Sequence, residues 1–387
     1  MDCDVLIVGG GLAGASLAVA LRGSRHRVAL VEARPPVRPQ NWDQRIYAVS
    51  PASQAFLDRI GIWSHLDSSR ITAVDGMAIH GDAGGRLDFA AYEAGLGELA
   101  WIVESSLMHA ELWETLRRQH NVELLCPSSP AALDIDASSA TLRLEDGRRV
   151  RARLVVAADG ANSWVREQAG IPARISPYGE LGVVANFRCE KPHRNTARQW
   201  FREDGVLAWL PLPDNRVSIV WSAPEKHAQE LLGLMPEAFA RRVAEAGAGA
   251  LGAMQSEGPA AGFPLRLLRV GETVRSRLVL IGDAAHALHP LSGHGINLGF
   301  SDAAELSERL CALPAWRDPG ELAVLRAYAR ARAEEPALLQ GVTHALNRLF
   351  DTGNPLVRVV RNQGMNLSAR LPVLTNALVR YATNGKF

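Results

Sequence analysis

The most constraining feature lies at the N-terminus, where the apolar run at residues 4–8 (DVLIV) breaks into the glycine-rich stretch GGGLAGASLAVAL. Gly9, Gly11 and Gly14 form a GxGxxG turn. The first glycine allows a tight turn, the second lets backbone approach a pyrophosphate, and the third lets helix and strand pack closely. Residues 12–21 are rich in Ala and Leu and predict a helix. Residues 27–32 (RVALVE) predict a second buried strand ending on Glu32. Strand, glycine turn, helix and strand within about thirty residues make a βαβ unit of a doubly wound sheet. The free N–H groups and positive dipole end of such a helix attract phosphate. Glu32 is placed to accept hydrogen bonds from a ribose diol, which disfavours a 2′-phosphate and so NADP at this site. A dinucleotide, FAD or NAD, is the expected occupant.

Two further strands carry the same punctuation. Residues 154–157 run into Asp159-Gly160, and residues 277–281 run into Gly282-Asp283. Between them, residues 181–189, 198–201, 206–210 and 216–221 alternate apolar and polar, with Pro211 and Pro213 marking turns. That pattern predicts antiparallel strands of a separate sheet. The expected fold is α/β: a Rossmann-like FAD-binding domain with an inserted antiparallel β-sheet substrate domain and a helical C-terminus. The nucleotide domain is discontinuous (1–75, 100–180 and 268–330), the β-rich part covers 76–99 and 181–267, and 331–387 forms the C-terminal helical region.

Composition closes off several function classes. With 47% hydrophobic and 21% charged residues and a net charge of +1, the chain has no global pull toward nucleic acid. Cys3, Cys126, Cys189 and Cys311 are scattered without a CxxC pair, so reduced thiols in a cytoplasmic protein are expected and no metal site. No basic flank precedes the N-terminal apolar run, and no later run nears the roughly 20 apolar residues of a membrane span.

The segment GDAAHALHPLSGHGINLG (282–299) separates FAD from NAD. Asp283 could hold a ribityl or ribose hydroxyl. Pro290, Gly293 and Gly295 would bring backbone close to a flat ring, and a helix starting near Asn297 could stabilise a reduced flavin's negative charge. His286 and His289 are expected to pack by the ring rather than bind metal.

Together, GxGxxG with Glu32, ADGANSWVRE (Asp159, Gly160, Ser163, Arg166) and GDAAHALHP with GHGINLG resemble the FAD-dependent aromatic hydroxylase family, over nearly the whole chain. The resemblance implies that the middle segment serves FAD and NAD(P)H binding, that Asp283 contacts the ribityl-pyrophosphate region, and that Arg45 in WDQRIYAVS lies near the flavin. QRIYAVSPASQAFLDRIGIW, IVESSLMHAELW, SIVWS and LNRLFDTGNPLVRVVRNQGMNLSARLP are similar to the ubiquinone-biosynthesis hydroxylase branch. IVESSLMHAELW and ARQWFREDGVLAWLPL lean to the member acting at ring carbon 5. The chain departs from the family at Gly293-His294-Gly295, where relatives read GQG, which makes His294 a candidate for a catalytic role.

The resemblance implies FAD as cofactor, NAD(P)H and O₂ as co-substrates, a polyprenylated phenol as substrate and a flavin C4a-hydroperoxide on the way to a hydroxylated ring. It also suggests a partnership with a ubiquinone-biosynthesis complex. Substrate contacts are sought in the inserted sheet at Phe187, Trp200, Trp209, Pro211 and Trp221, although ordinary core packing is the favoured reading of each. After Asp351 the chain has no acidic residue, while Arg358, Arg361, Arg370, Arg380 and Lys386 alternate with apolar ones. This tail could seat the protein peripherally on the cytoplasmic side of the inner membrane or on an acidic partner, or simply pack on the flavin domain. The competing functions are a related flavin hydroxylase of a soluble aromatic or polyketide and a non-catalytic flavin-binding subunit. A flavin halogenase is disfavoured, since its WxWxIP motif is missing.

Overall fold

A computed structural model describes residues 1–37, 41–287, 295–351 and 355–368. The chain opens with β1 (Asp2–Val8), α1 (Leu12–Ala20), β2 (Val28–Val31), β3 (Ile46–Val49) and α2 (Pro51–Arg59). Short strands β4 (Thr72–Val74), β5 (Gly76–His80), β6 (Arg86–Ala90) and β7 (Ala100–Glu104) lead to α3 (Ser105–Arg117). Then come β8 (Val122–Leu125), β9 (Pro130–Ile135), β10 (Ala140–Leu144), β11 (Arg149–Ala157) and α4 (Trp164–Gln168). The long β12 (Ala173–Cys189) starts a run of β13 (Thr196–Arg202), β14 (Gly205–Leu212) and β15 (Arg216–Pro224), followed by α5 (Glu225–Leu232) and α6 (Pro236–Ala246). The remainder is β16 (Met254–Ser256), β17 (Ala261–Val270), β18 (Val274–Arg275), β19 (Leu278–Leu280), β20 (His286–Ala287), α7 (Gly295–Ala312), α8 (Leu322–Arg332), α9 (Glu334–Asp351) and α10 (Pro355–Ser368).

Three sheets organise these elements. The first runs β18-β19-β11-β1-β2-β8, with β10 and β9 extending from β11. Its central strands β19, β11, β1, β2 and β8 are mutually parallel. Val5, Leu6 and Ile7 of β1 have no exposed surface, as parallel strands covered on both faces require. One face packs on α1, α3 and α7 and the other on a cluster with Leu142, Val150 and Val165. The second sheet runs β20-β17-β12-β15-β14-β13-β5-β6. It is antiparallel except for β13 on β5, which run parallel. The third, β3-β7-β4, bridges the two through an apolar cluster of Ile46, Val74, Ile102, Ala197 and Leu212.

The chain therefore has the expected Rossmann-like layer, a β-rich insertion and a helical C-terminus. The helix expected near Asn297 begins two residues earlier, at Gly295.

Candidate functional site

Because β1, β11 and β19 are adjacent and parallel, their C-terminal ends meet at one edge, where ligands of open α/β sheets bind. Three loops follow from those ends. At the first, Gly9 has φ +104°, and a Cβ there would lie 2.4 Å from the Ala158 carbonyl oxygen. A Cβ on Gly14 would sit 2.0 Å from the Gly9 carbonyl oxygen, so α1 can approach the turn only because Gly14 has none. Gly11, by contrast, faces open space. It is the N-cap of α1 and no side chain caps the helix, so the first N–H groups remain available for a pyrophosphate.

Glu32, one residue past β2, accepts from the Gly10 N–H at 2.7 Å and the Arg34 N–H at 3.0 Å. Each carboxylate oxygen keeps acceptor capacity for a ribose diol. The Gly10 peptide is also held at its carbonyl. The Trp113 indole N–H donates to it at 2.9 Å, and His109 Nε2 lies 2.7 Å away. Both come from α3. Since a trans peptide sets its N–H opposite its carbonyl, aiming the Gly10 carbonyl at α3 aims the Gly11 N–H away from α3, into the open space.

At the second loop, Gly160 has φ +83°. Asp159 Oδ2 accepts from the Val165 N–H at 3.0 Å and Ser163 Oγ from the Arg166 N–H, capping α4. Asp159 Oδ1 is buried without a hydrogen-bond partner. Burial raises the Asp159 carboxyl above its ordinary value, although the Ser163 hydroxyl and nearby N–H groups oppose it. Arg166, 2% exposed, donates to the Ala161 carbonyl and to the Ala284 carbonyl, tying the second loop to the third.

At the third loop, a Cβ on Gly282 or Gly299 would come within 3.3 Å of the Ala13 methyl. The absence of side chains there seats this loop and α7 directly on α1. Asp283 is exposed to solvent, yet the protein atoms crowding it raise its carboxyl above the ordinary value, while His286, Arg45 and Arg266 pull it down. Arg45 is exposed and its guanidinium makes no bond of its own to a described residue. Burial raises the Tyr47 phenol above its ordinary value; Arg45 opposes this, and Asp283 and Asp43 add to it. Asn297 holds this segment against α7, accepting from the Ser50 N–H and donating to the Ala48 carbonyl, both at 2.9 Å.

Behind the third loop lies a buried ionic cluster. Asp302, 1% exposed on α7, accepts from the Gly282 N–H at 2.9 Å, His286 Nε2 at 2.7 Å and Arg332 Nε at 2.8 Å. Burial alone would raise Asp302 and lower His286. Their mutual attraction reverses both, leaving the carboxyl low and the imidazole high. His286 thus holds an ion pair rather than packing by the ring, a correction of the sequence expectation. The described residues hold no group of three His, Cys, Asp or Glu side chains able to bind a metal.

The structure brings together Gly9, Gly11, Gly14, Glu32, Arg45, Asp159, Asp283, Gly295 and Asn297 around the sheet edge. Pro290, Gly293 and His294 lie outside the described residues. Phe187, Trp200, Trp209 and Trp221 sit elsewhere: all four are buried in the core that β12–β15 form with α5 and α6. Phe187 touches Phe239 of α6 at 5.6 Å, and Pro211 is buried on β14. The opposite face of β12 meets the flavin domain, where Asn186 donates to the Asp43 carbonyl at 2.9 Å.

An uncapped glycine turn, a cradle that a Cβ would fill and an orphaned Asp159 oxygen fit a dinucleotide, and comparison with known proteins identifies which. The FAD binding domain family model matches residues 2–339. The chain belongs to that family. It is 37% identical to the ubiquinone hydroxylase UbiL of Rhodospirillum rubrum, over 98% of this chain and 89% of the relative. It is 30% identical to the 3-demethoxyubiquinol 3-hydroxylase of Escherichia coli, over 98% of each. Among solved structures, PqsL of P. aeruginosa in complex with 2-aminobenzoylacetate superposes with a TM-score of 0.80 at 26% identity, covering 95% of this chain and all of that one. Klebsiella pneumoniae HpxO, solved with FAD and uric acid, shares the fold at 16% identity and a TM-score of 0.75. The chain is an FAD-dependent monooxygenase of the aromatic hydroxylase family, in its ubiquinone-hydroxylase branch.

Proposed function

We propose that this enzyme hydroxylates the aromatic ring of a polyprenylated phenol on the route to ubiquinone, at ring carbon 5, consuming NAD(P)H and O₂. Similarity to two ubiquinone-pathway hydroxylases over 98% of the chain carries the reading. The position on the ring rests on the resemblance of IVESSLMHAELW and ARQWFREDGVLAWLPL to the carbon-5 member. In balance, one oxygen atom of O₂ enters the ring C–H bond and the other leaves as water, with two electrons from the nicotinamide.

FAD, when bound, supplies the oxygen activation. The chain's own residues hold, aim and keep the reactants dry. Gly11 and the first turn of α1 would give backbone N–H groups to the pyrophosphate, with Gly9 and Gly14 shaping the turn; Glu32 would take the ribose, Asp283 the ribityl-pyrophosphate region, and Arg45 would lie near the flavin. Asp159 and Arg166 fix the second loop, and Asn297 fixes the strand beside it. The phenol ring belongs on the β12–β15 face that carries Asn186, not on the tryptophan-rich face behind it. Asn186 Oδ1 and Ser218 Oγ are cross-strand partners there, each buried without a hydrogen-bond partner, and offer polar atoms for a ring substituent. Water exclusion protects the activated oxygen, and a rigid sheet places one ring carbon in reach.

Complementation of strains each lacking one quinone ring hydroxylase, with intermediates identified by mass spectrometry, tests the reading. Restored quinone in the carbon-5 strain supports it, and restoration elsewhere moves the position. Restoration in none overturns the quinone assignment and leaves a flavin monooxygenase of a soluble aromatic.

A further inference from the structure

Asn186 carries an amide that cannot turn over. It is 2% exposed on β12, and its Nδ2 donates to the Asp43 carbonyl at 2.9 Å. A carbonyl oxygen only accepts, so the amide must keep its nitrogen on that side and its oxygen on the other. A flip would set oxygen against oxygen. The Asp43 carbonyl is itself fixed, because the residue is held at three other atoms. Its N–H donates to Glu104 at 2.6 Å, its Oδ1 accepts from the Arg45 N–H at 3.0 Å, and its Oδ2 accepts from the Ser106 N–H at 2.9 Å. Glu104 has no exposed surface and is anchored in turn by two bonds from Arg70, at 2.6 and 2.7 Å. The flavin domain thus sets the direction of an amide on the inserted sheet.

What the amide presents is a bare acceptor. Asn186 Oδ1 is buried and has no hydrogen-bond partner. Ser218, its cross-strand neighbour on β15, is 1% exposed, and its Oγ is buried without a partner as well. The positions beside the pair are apolar: Leu210 lies across from Ser218, and Val184 pairs with Val220 two residues along. An acceptor left unpaired in a dry interior carries a desolvation penalty that an incoming donor removes. The two orphaned atoms differ in what they tolerate. A serine hydroxyl rotates and can donate or accept, whereas Asn186 Oδ1 can only accept. Asn186 therefore decides the polarity of the group it meets, and Ser218 adapts to it.

We infer that Asn186 is a specificity-determining residue: it takes a ring substituent that brings a proton, a hydroxyl or an amino group, and rejects one that brings only lone pairs, a methyl ether or a quinone carbonyl. This deepens the hydroxylase reading, on which the placement of the ring against this face rests. For that reaction the consequence is a filter on the form of the substrate. A ring with a free hydroxyl at this position is admitted, and its alkylated or oxidised counterpart is turned away because it leaves the buried acceptor unpaired.

The test is titration calorimetry of FAD-loaded full-length protein with four ligands on one scaffold: ortho-prenylphenol, the corresponding aniline, the aryl fluoride and the methyl ether. No nicotinamide is added, so only binding is read. The two donors should bind with similar constants, and the fluoride and ether about 5- to 150-fold more weakly, the worth of a buried acceptor left unpaired. Fluorine is no larger than a hydroxyl, so its deficit is not steric. Asn186→Leu should bring the four constants together, with an unchanged flavin absorbance spectrum and melting temperature showing that it folds. If that variant does not fold, the wild-type series decides alone. Fluoride or ether bound as tightly as the phenol overturns the inference. So does a preference that survives in Asn186→Leu, or a protein that binds none of the four. Complementation separates the two readings: quinone restored alongside equal constants sinks this assignment alone, whereas a donor preference without restored quinone keeps it and removes the pathway.

Discussion

Replacing Asp302 with Asn removes the charge on which the third cofactor loop rests. The carboxylate is 1% exposed and holds three donors, the Gly282 N–H, His286 and Arg332. Deleting one partner of a buried ion pair costs about 3–5 kcal/mol, since the remaining charges keep their desolvation penalty. Asn has the same volume and can still accept from Gly282, and Glu335 still pairs with Arg332. The loss should therefore fall at the lower end, about 3 kcal/mol. The sign with pH follows from the two shifts. The Asp302 carboxyl is depressed, so its contribution is present above the ordinary 3.8 and lost as pH falls through its lower folded value. The His286 imidazole is raised, so its contribution is present below the ordinary 6.5 and lost as pH rises through its higher folded value. The pair contributes in full between those ordinary values. Urea unfolding of wild type and Asp302→Asn at ~pH 6 and ~pH 9 measures this: the margin should narrow at the higher pH as His286 loses its proton. A loss under ~1 kcal/mol at ~pH 6, or a margin that widens with pH, would refute the buried ion pair as described.

Two other outcomes are expected. Trp113→Phe keeps an aromatic ring, though a smaller one, but removes one of the two groups holding the Gly10 carbonyl. The FAD dissociation constant, followed by flavin fluorescence, should rise about 2- to 10-fold, from the ~0.5–1.5 kcal/mol net worth of one hydrogen bond. Unchanged affinity would free the Gly11 N–H from any dependence on α3. Phe187→Ala should cost about 3–5 kcal/mol in thermal or urea unfolding while leaving the KM for the phenol unchanged, because the ring is fully buried against Phe239. Raised KM with unaltered stability would return Phe187 to the substrate site.

Local chemistry made the cofactor loops legible before any fold was known. The turn at Gly9, Gly11 and Gly14 and the carboxylate at Glu32 act within one βαβ unit, so their spacing along the chain is their spacing in space. Asp159 and Asp283 could be marked because each ends an apolar run, and parallel neighbours bring such ends to one edge. The inserted strands also announced themselves through alternation. Alternation does not say which face of a strand meets which layer, however. The aromatic residues Phe187, Trp200, Trp209 and Trp221 suited a core better than a pocket on residue type alone, and the docking of α5 and α6 put them in the core.

Pairings across long sequence separations were illegible for the same reason. Nothing near Asp302 announces that His286 and Arg332 converge on it, nor that His109 and Trp113 reach the carbonyl of Gly10, 99 and 103 residues away. The basic, apolar character of the C-terminal tail was visible in its composition, but not the orientation of α10. A polar residue is buried when partners meet it, and Asp82 and the glycines of the β5–β6 turn, nearly 280 residues earlier, meet Arg361 and Asn362. The sequence by itself determined which local units form and what chemistry they carry. The tertiary structure decided which side chains share a dry interior, because burial and pairing depend on neighbours that the chain order does not place together.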